Sequence, residues 1–297
     1  MQENNPQQKL VIEKLRQSET ANISRDAYFL SPESLDALEQ QLVGTLRDGV
    51  SDDGTLCAVV SGSSELGNFC RTMENQVFRS YGEDYDFSET MAVYEDQSIF
   101  LYTVDMTSSK IAHCKRLVKS LPSEAQEQEQ RTGIEIFDDR ATATKKEEFV
   151  QLSEVLQYHG IDGVEDCINV TTNLKTKRVD KELSGLHLLT SYKGVYELVS
   201  ALGLGYVITY QNRYAHSSLE SLGVESELLC GGEYHLPNKA LDGGYDKEYV
   251  ALVLPRNEHN TRAFTEVDPD NELSPFIAEL EVPLYAVDSN SGVSRLY

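Results

Sequence analysis

From Thr55 to Pro255 the hydrophobic pattern keeps changing its period, and this alternation constrains the fold more than any single motif does. "TLCAVVSG" (55–62) is a short β-type run. From Glu65 onward Leu66, Phe69, Cys70, Met73, Val77 and Phe78 recur at helical spacing and predict a helix ending near Gly82. "SIFLYTVD" (98–105) and "KIAHCKRLVK" (110–119) flank "MTSS" and read as a β-hairpin. "DCINVTTNL" (166–174) has several β-branched residues and predicts another strand. A helix over 184–203, a buried strand "GYVITY" (205–210) and a short helix 213–223 closed by Gly223 follow. "SELLCGGEYHL" (226–236) and "EYVALVLP" (248–255) read as two more strands. The order β, α, β-hairpin, β, α, β, α, β, β predicts a mixed α/β fold, a mixed sheet with helices on its faces.

The flanks read differently. Ser31 as N-cap and Pro32 at the first helical position open a helix over 31–50, with Leu35, Leu38, Leu42 and Leu46 on one face. Residues 1–30 are polar and read as a loose arm or frayed helix. Residues 120–165 interrupt the pattern as a Gln/Glu-rich insertion with a helix at 145–159, and 256–297 ends in an extended-looking "PFIAELEVPLYAV". The chain thus divides into an N-terminal helical extension (1–50), a main domain (51–256, insertion 120–165) and a C-terminal tail (257–297).

No apolar run approaches the roughly 20 residues of a membrane-spanning helix, and "MQENNPQQKL" has no signal-peptide pattern, so a soluble cytoplasmic protein without a membrane span is expected. Five widely spaced cysteines without CxxC point to reduced, buried thiols. The six histidines form no HExxH or HxH set, so no metal is expected. With 26 Lys and Arg against 49 Asp and Glu, the net charge of −23 argues against nucleic acid as partner. Against that background, "NLKTKRVDKELSGLHLL" (173–189) crowds Lys175, Lys177, Arg178 and Lys181 into a strand-to-helix turn. Uncapped N–H groups and the helix dipole favour an anion at such a turn, although solvated surface lysines give the same pattern. A second window without acids, 106–123, holds Lys110, Lys115, Arg116 and Lys119 and reads as a face for an acidic partner.

The element order, with "ENQVFRSYG…YEDQSIFLYTVDMTSSKIAHCKRLV" and "INVTTNLKTKRVDKELSGLHLLTSYKGVYELVSALGLGYVITYQNRYAHSSLESLG", resembles the GNAT N-acyltransferase fold over roughly 66–255. The finer details are similar to its branch of autoinducer synthases and long-chain N-acyl amino acid synthases. The resemblance implies a thioester donor, acyl-CoA or acyl-carrier protein, lying in a notch between two splayed parallel strands. Its pantetheine arm would pair with strand 166–174 and its phosphate would sit by Lys175, Lys177, Arg178, Lys181 and Gly185. Backbone N–H groups of Asn173 and Leu174 would meet the oxyanion. Glu89 corresponds to the family's acidic turn as a base, with Glu95 and Asp96 beside it. Tyr214 and His216 are the proton-donor candidates, and Arg116 is the clamp for an acceptor carboxylate. For each of these a surface ion pair, a structural hydroxyl or a packed ring is the alternative. No permanently bound cofactor is implied, only the thioester co-substrate and a small-molecule amine. The chain departs from the family pattern in keeping one loop glycine, Gly185, and in carrying His113, Asn169 and Leu219 where a glycine, an arginine and a tyrosine are usual.

Overall fold

The computed structural model describes residues 6–17, 19, 22–79, 87–129, 131–138, 152–231, 249–288 and 292–296. Among these, nine strands make one mixed sheet. They are β1 (Thr55–Ser61), β2 (Ser98–Asp105), β3 (Lys110–Lys119), β4 (Cys167–Lys175), β5 (Tyr206–Asn212), β6 (Glu227–Leu228), β7 (Tyr249–Pro255), β8 (Leu284–Asp288) and β9 (Gly292–Arg295). The spatial order is β6-β7-β5-β4-β3-β2-β1-β8-β9. The β2–β3 hairpin falls where the sequence puts it. Asp105 closes its turn by accepting from the N–H groups of Thr107 (3.0 Å) and Ser108 (3.3 Å), and Ser109 takes a φ of 60°.

Helices cover both faces, as the mixed α/β reading expects. On one face lie α2 (Pro32–Gly49), following α1 (Pro6–Arg16) in sequence, and α3 (Asn68–Arg79). They bury Leu38, Leu42, Leu46 and Phe69 against Leu56, Ala58, Phe100 and Tyr102. Ser31 caps α2 by accepting from the Ser34 N–H at 3.2 Å. A short α4 (Phe87–Met91) follows, then α5 (Ser123–Glu129), α6 (Glu135–Asp138) and α7 (Leu152–His159) inside the insertion. On the opposite face α8 (Ser184–Leu202) sets Val195, Leu198 and Val199 on Val59, Leu101, Leu117 and Ile168, with Ile12 and Leu15 of α1 completing the layer. Gly194 lets α8 come this close: a Cβ there would stand 2.4 Å from the Cys57 Sγ of β1. Gly203, at φ 66°, ends the helix. Beyond β5 come α9 (Arg213–Ser221), α10 (Glu258–Thr265) and α11 (Ser274–Glu279).

The termini depart from the sequence reading. The tail is built into the sheet: β8 runs parallel to β1, from Cys57↔Leu284 to Val60↔Val287, and β9 pairs antiparallel with β8. "PFIAE" is helical in α11, where Pro275 occupies the first turn, rather than extended. The N-terminal arm is anchored by Ile12 and Leu15. The strand expected at 226–236 is short, giving way to a tight turn at Leu229–Gly231, and 232–248 lie outside the described residues. So do 139–151, the first part of the helix expected at 145–159, and Gly82.

Candidate active site

The site begins where two parallel strands part. β4 and β5 pair only from Cys167↔Tyr206 to Val170↔Thr209. The ladder closes with the Thr209 hydroxyl donating to the Val170 carbonyl at 2.9 Å. β4 continues alongside β3, but its register shifts between Arg116 and Leu117, so that Thr171 is an extra residue. The strands separate at this bulge, and the next stretch of β4 has no strand partner on its β5 side among the described residues. Thr176 donates its N–H to the Ala112 carbonyl of β3 at 2.9 Å. By the alternation of an extended strand, the Leu174 N–H then also points at β3, whereas those of Asn173 and Lys175 face the open side.

A buried ion network fixes the bulge. Arg116 is fully buried on the α3 face; its Nη2 donates to Glu74 (2.8 Å) and to the Tyr28 hydroxyl (3.1 Å), and its Nη1 to Glu95 (3.0 Å) and Ser98 (3.0 Å). Arg71 holds the other oxygen of Glu95 at 2.7 Å. Thr172, next to the extra residue, donates to Glu74 at 2.6 Å and accepts the Arg116 N–H at 3.1 Å. Two guanidinium and two carboxylate groups thus meet in balance. Burial alone would raise the Glu95 carboxyl, but Arg116 and Arg71 hold it down at about 2. Arg116 is therefore committed to internal partners, in place of the acceptor clamp that the resemblance implies. The cationic window around it is likewise internal: Lys115 and Lys119 are buried, and Lys110 is paired with Glu39 at 2.7 Å. An acidic partner finds no basic face there.

On the α8 side the parting strands open a narrow cleft. Val170, Val195, Val199, Leu219 and Leu254 line it, with the stacked rings of Tyr196 and Phe264 at 4.8 Å between centroids. That lining has the character of a site for an apolar ligand. Lys115, the cross-strand partner of Asn173, also lines it, with its Nζ over the Tyr192 ring at 4.4 Å. Burial depresses the Lys115 amine to about 7. A second, roomier cavity lies between α1 and the ends of β1, β3 and β8; Lys14, Glu19, Asp96, Lys119 and Asp288 line it with both charge signs.

The expected donor-binding residues divide between two places. Lys175, Lys177 and Lys181 are exposed between the end of β4 and the start of α8, Lys175 donating from its Nζ to Ser184 Oγ of α8. The Leu183 cap position there makes no side-chain hydrogen bond, and open space surrounds Gly185. Arg178 instead turns toward α2, pairing with Asp36 (2.5 Å) and Glu39 (2.9 Å). None of the catalytic candidates lines the cleft. Glu89 is exposed on α4, Tyr214 is 81% exposed on α9, and His216 meets the Ser226 hydroxyl at 3.1 Å. Sequence reading missed Lys115 as a cleft residue. The available signal was its place in a central strand covered on both faces, where a charge must be buried. Among the described residues no group of three or more His, Cys, Asp or Glu is placed to hold a metal. All five cysteines are buried and none is in a disulfide, and no described helix is long and apolar enough to cross a membrane.

No family model matches the chain, and no curated protein sequence does. Solved structures do. A CoA-dependent acyl-homoserine lactone synthase, BjaI, with SAM and isopentyl-CoA matches at 12% identity and a TM-score of 0.46, over 78% of this chain and 93% of that one. The acyl-homoserine lactone synthase LasI matches at 9% identity and 0.44, over 71% and 95%. An IAA acetyltransferase from Bacillus cereus matches at 7% identity and 0.34, over 68% and 99%.

Proposed function

We propose that the chain is an N-acyltransferase that moves an acyl group from an acyl-carrier-protein or CoA thioester to the amine of a small molecule, with amino acids the first acceptors to test. The observation that carries this reading is the bulged parting of β4 from β5. It leaves strand edge for the amides of a pantetheine arm and an apolar cleft for the acyl chain beside it. In the turn from β4 to α8, Lys175, Lys177 and Lys181 and the uncapped start of α8 suit a phosphate. In the reaction the amine nitrogen attacks the thioester carbonyl carbon, the C–S bond breaks and the thiolate leaves with a proton. The Asn173 N–H, on the open side of β4, is the donor for the oxyanion; that of Leu174 is turned to β3.

A second reading, a non-catalytic protein that binds the thioester or a protein partner, draws on the fact that Glu89, Tyr214 and His216 are not among the cleft-lining residues. Incubation of the protein with CoA and carrier-protein thioesters of several chain lengths and a pool of amines, followed by detection of free thiol, separates the two. Amine-dependent thiol release is expected. Thermal stabilisation by the thioesters without release would establish the second reading in its place.

A further inference from the structure

In a chain with 49 acidic residues, the cleft lining contains, among the described residues, two cations and no carboxylate. One of them, Arg256, is at the exposed rim and donates from Nε to the Leu204 carbonyl at 2.6 Å. The other, Lys115, is 1% exposed. No hydrogen bond or ion pair joins its Nζ to any described residue; the partner of the amine is the face of Tyr192. The titratable groups facing it are the Cys57 thiol of β1, the Tyr192 phenol of α8 and the His113 imidazole of its own strand. None of these is an anion at neutral pH. Burial pushes the Cys57 thiol up to about 12, and the Tyr192 phenol is raised by burial as well. Burial, then the charges of Lys115, His187 and Lys175, push His113 down to about 3. Across the ladder, the buried Asn173 Oδ1 lies beside the His113 imidazole, but no donor stands within full hydrogen-bond distance of it. An ammonium in this position lacks both a counter-ion and its share of acceptors, although the cleft around it suits hydrocarbon.

A ligand that supplies the missing charge resolves this. We propose that the cleft binds an amphiphile with an apolar chain and a carboxylate, the carboxylate resting on Lys115 Nζ and the chain running past Tyr196, Val199 and Phe264 toward the rim. The three N–H donors of the ammonium then divide between the carboxylate and the Asn173 Oδ1. A free fatty acid and an N-acyl amino acid share this chemistry. Binding requires no turnover, so the inference stands or falls separately from the acyltransferase reading.

Binding also has a proton signature. The ligand selects charged Lys115, whose amine is depressed to about 7 in the empty cleft. Affinity is then constant below about pH 7 and falls about tenfold per pH unit above it, until the raised value of the complex is reached. Calorimetric titration with decanoate and with N-decanoylglycine, at about pH 6 and about pH 8 in buffers of different ionisation enthalpy, reads this directly. Expected are uptake approaching one proton per ligand at the higher pH, little at the lower, and loss of about tenfold or more in affinity in Lys115→Met. The tighter of the two ligands identifies the source of the carboxylate. Decanol binding as tightly as decanoate, uptake absent at both pH values, or full carboxylate affinity in Lys115→Met would each overturn the proposal. The proton count needs only the wild-type chain, so it holds however the variant folds.

Discussion

Replacing Lys115 by methionine keeps an unbranched apolar stem against Tyr192 and removes the amine, so the change isolates the cost of a buried charge. The amine falls from an ordinary 10.5 to about 7 in the fold, with burial the dominant cause. A difference of about 3.5 units at about 1.36 kcal/mol each means that the charged form costs up to about 5 kcal/mol of stability at low pH. Because the folded value is depressed, the unfolded chain holds more protons between about pH 7 and pH 10.5, and stability rises with pH across that window. From about pH 7 to pH 9 this group alone adds roughly 2 kcal/mol to the wild type and nothing to Lys115→Met. Urea unfolding of both proteins at the two pH values, followed by circular dichroism, gives the difference with all other titrating groups cancelled. Lys115→Met should be the more stable protein near neutrality, with its advantage shrinking by roughly 2 kcal/mol at the higher pH. An advantage independent of pH would refute the assignment of a buried amine without a counter-ion.

Other consequences concern the network and the turn from β4 to α8. Glu95 is held at about 2, so the stability it contributes is complete above the ordinary carboxylate range and is lost as pH falls toward that value. Acid titrations by circular dichroism should show Glu95→Gln flattening the limb below about pH 4.5, and the variant should cost roughly 3–5 kcal/mol near neutrality because Arg71 and Arg116 lose a shared anion. Changing Lys175, Lys177 and Lys181 together to alanine should weaken CoA binding roughly tenfold at low salt and progressively less as salt rises, measured by calorimetry. Arg178→Ala should leave that affinity unchanged, since its guanidinium lies against Asp36 and Glu39.

The middle of the chain was legible because its signals are local. The turn residues between Asp105 and Lys110 bound the hairpin, and Gly203 and Gly223 close two helices at positive φ. The end of the chain was opaque for the opposite reason. "LYAVD" becomes a strand only by pairing with β1, more than two hundred residues earlier, and no short-range pattern announces that partner. Site residues followed the same division. The lysines of the strand-to-helix loop could be placed by their position in the element order. Charged residues within β3 could not, because both faces of that strand are covered: Arg116 goes to Glu74 and Glu95, and Lys115 to the cleft. Nor does spacing along the chain disclose that the side chains of Glu89, Tyr214 and His216 miss the cleft lining while Leu219, on the same helix as the last two, reaches it.

The central claim is that the open edge of β4 and the cleft behind it hold an acyl thioester. A crystal structure with an acyl-CoA thioether, which cannot transfer its chain, tests this most directly. The account predicts pantetheine amides bonded to the backbone between Thr171 and Lys175, the phosphates near Lys175, Lys177 and Lys181, and the chain between Val199 and Phe264. A ligand lodged in the polar cavity by Lys14, Glu19 and Lys119, with the β4 edge vacant, would contradict it.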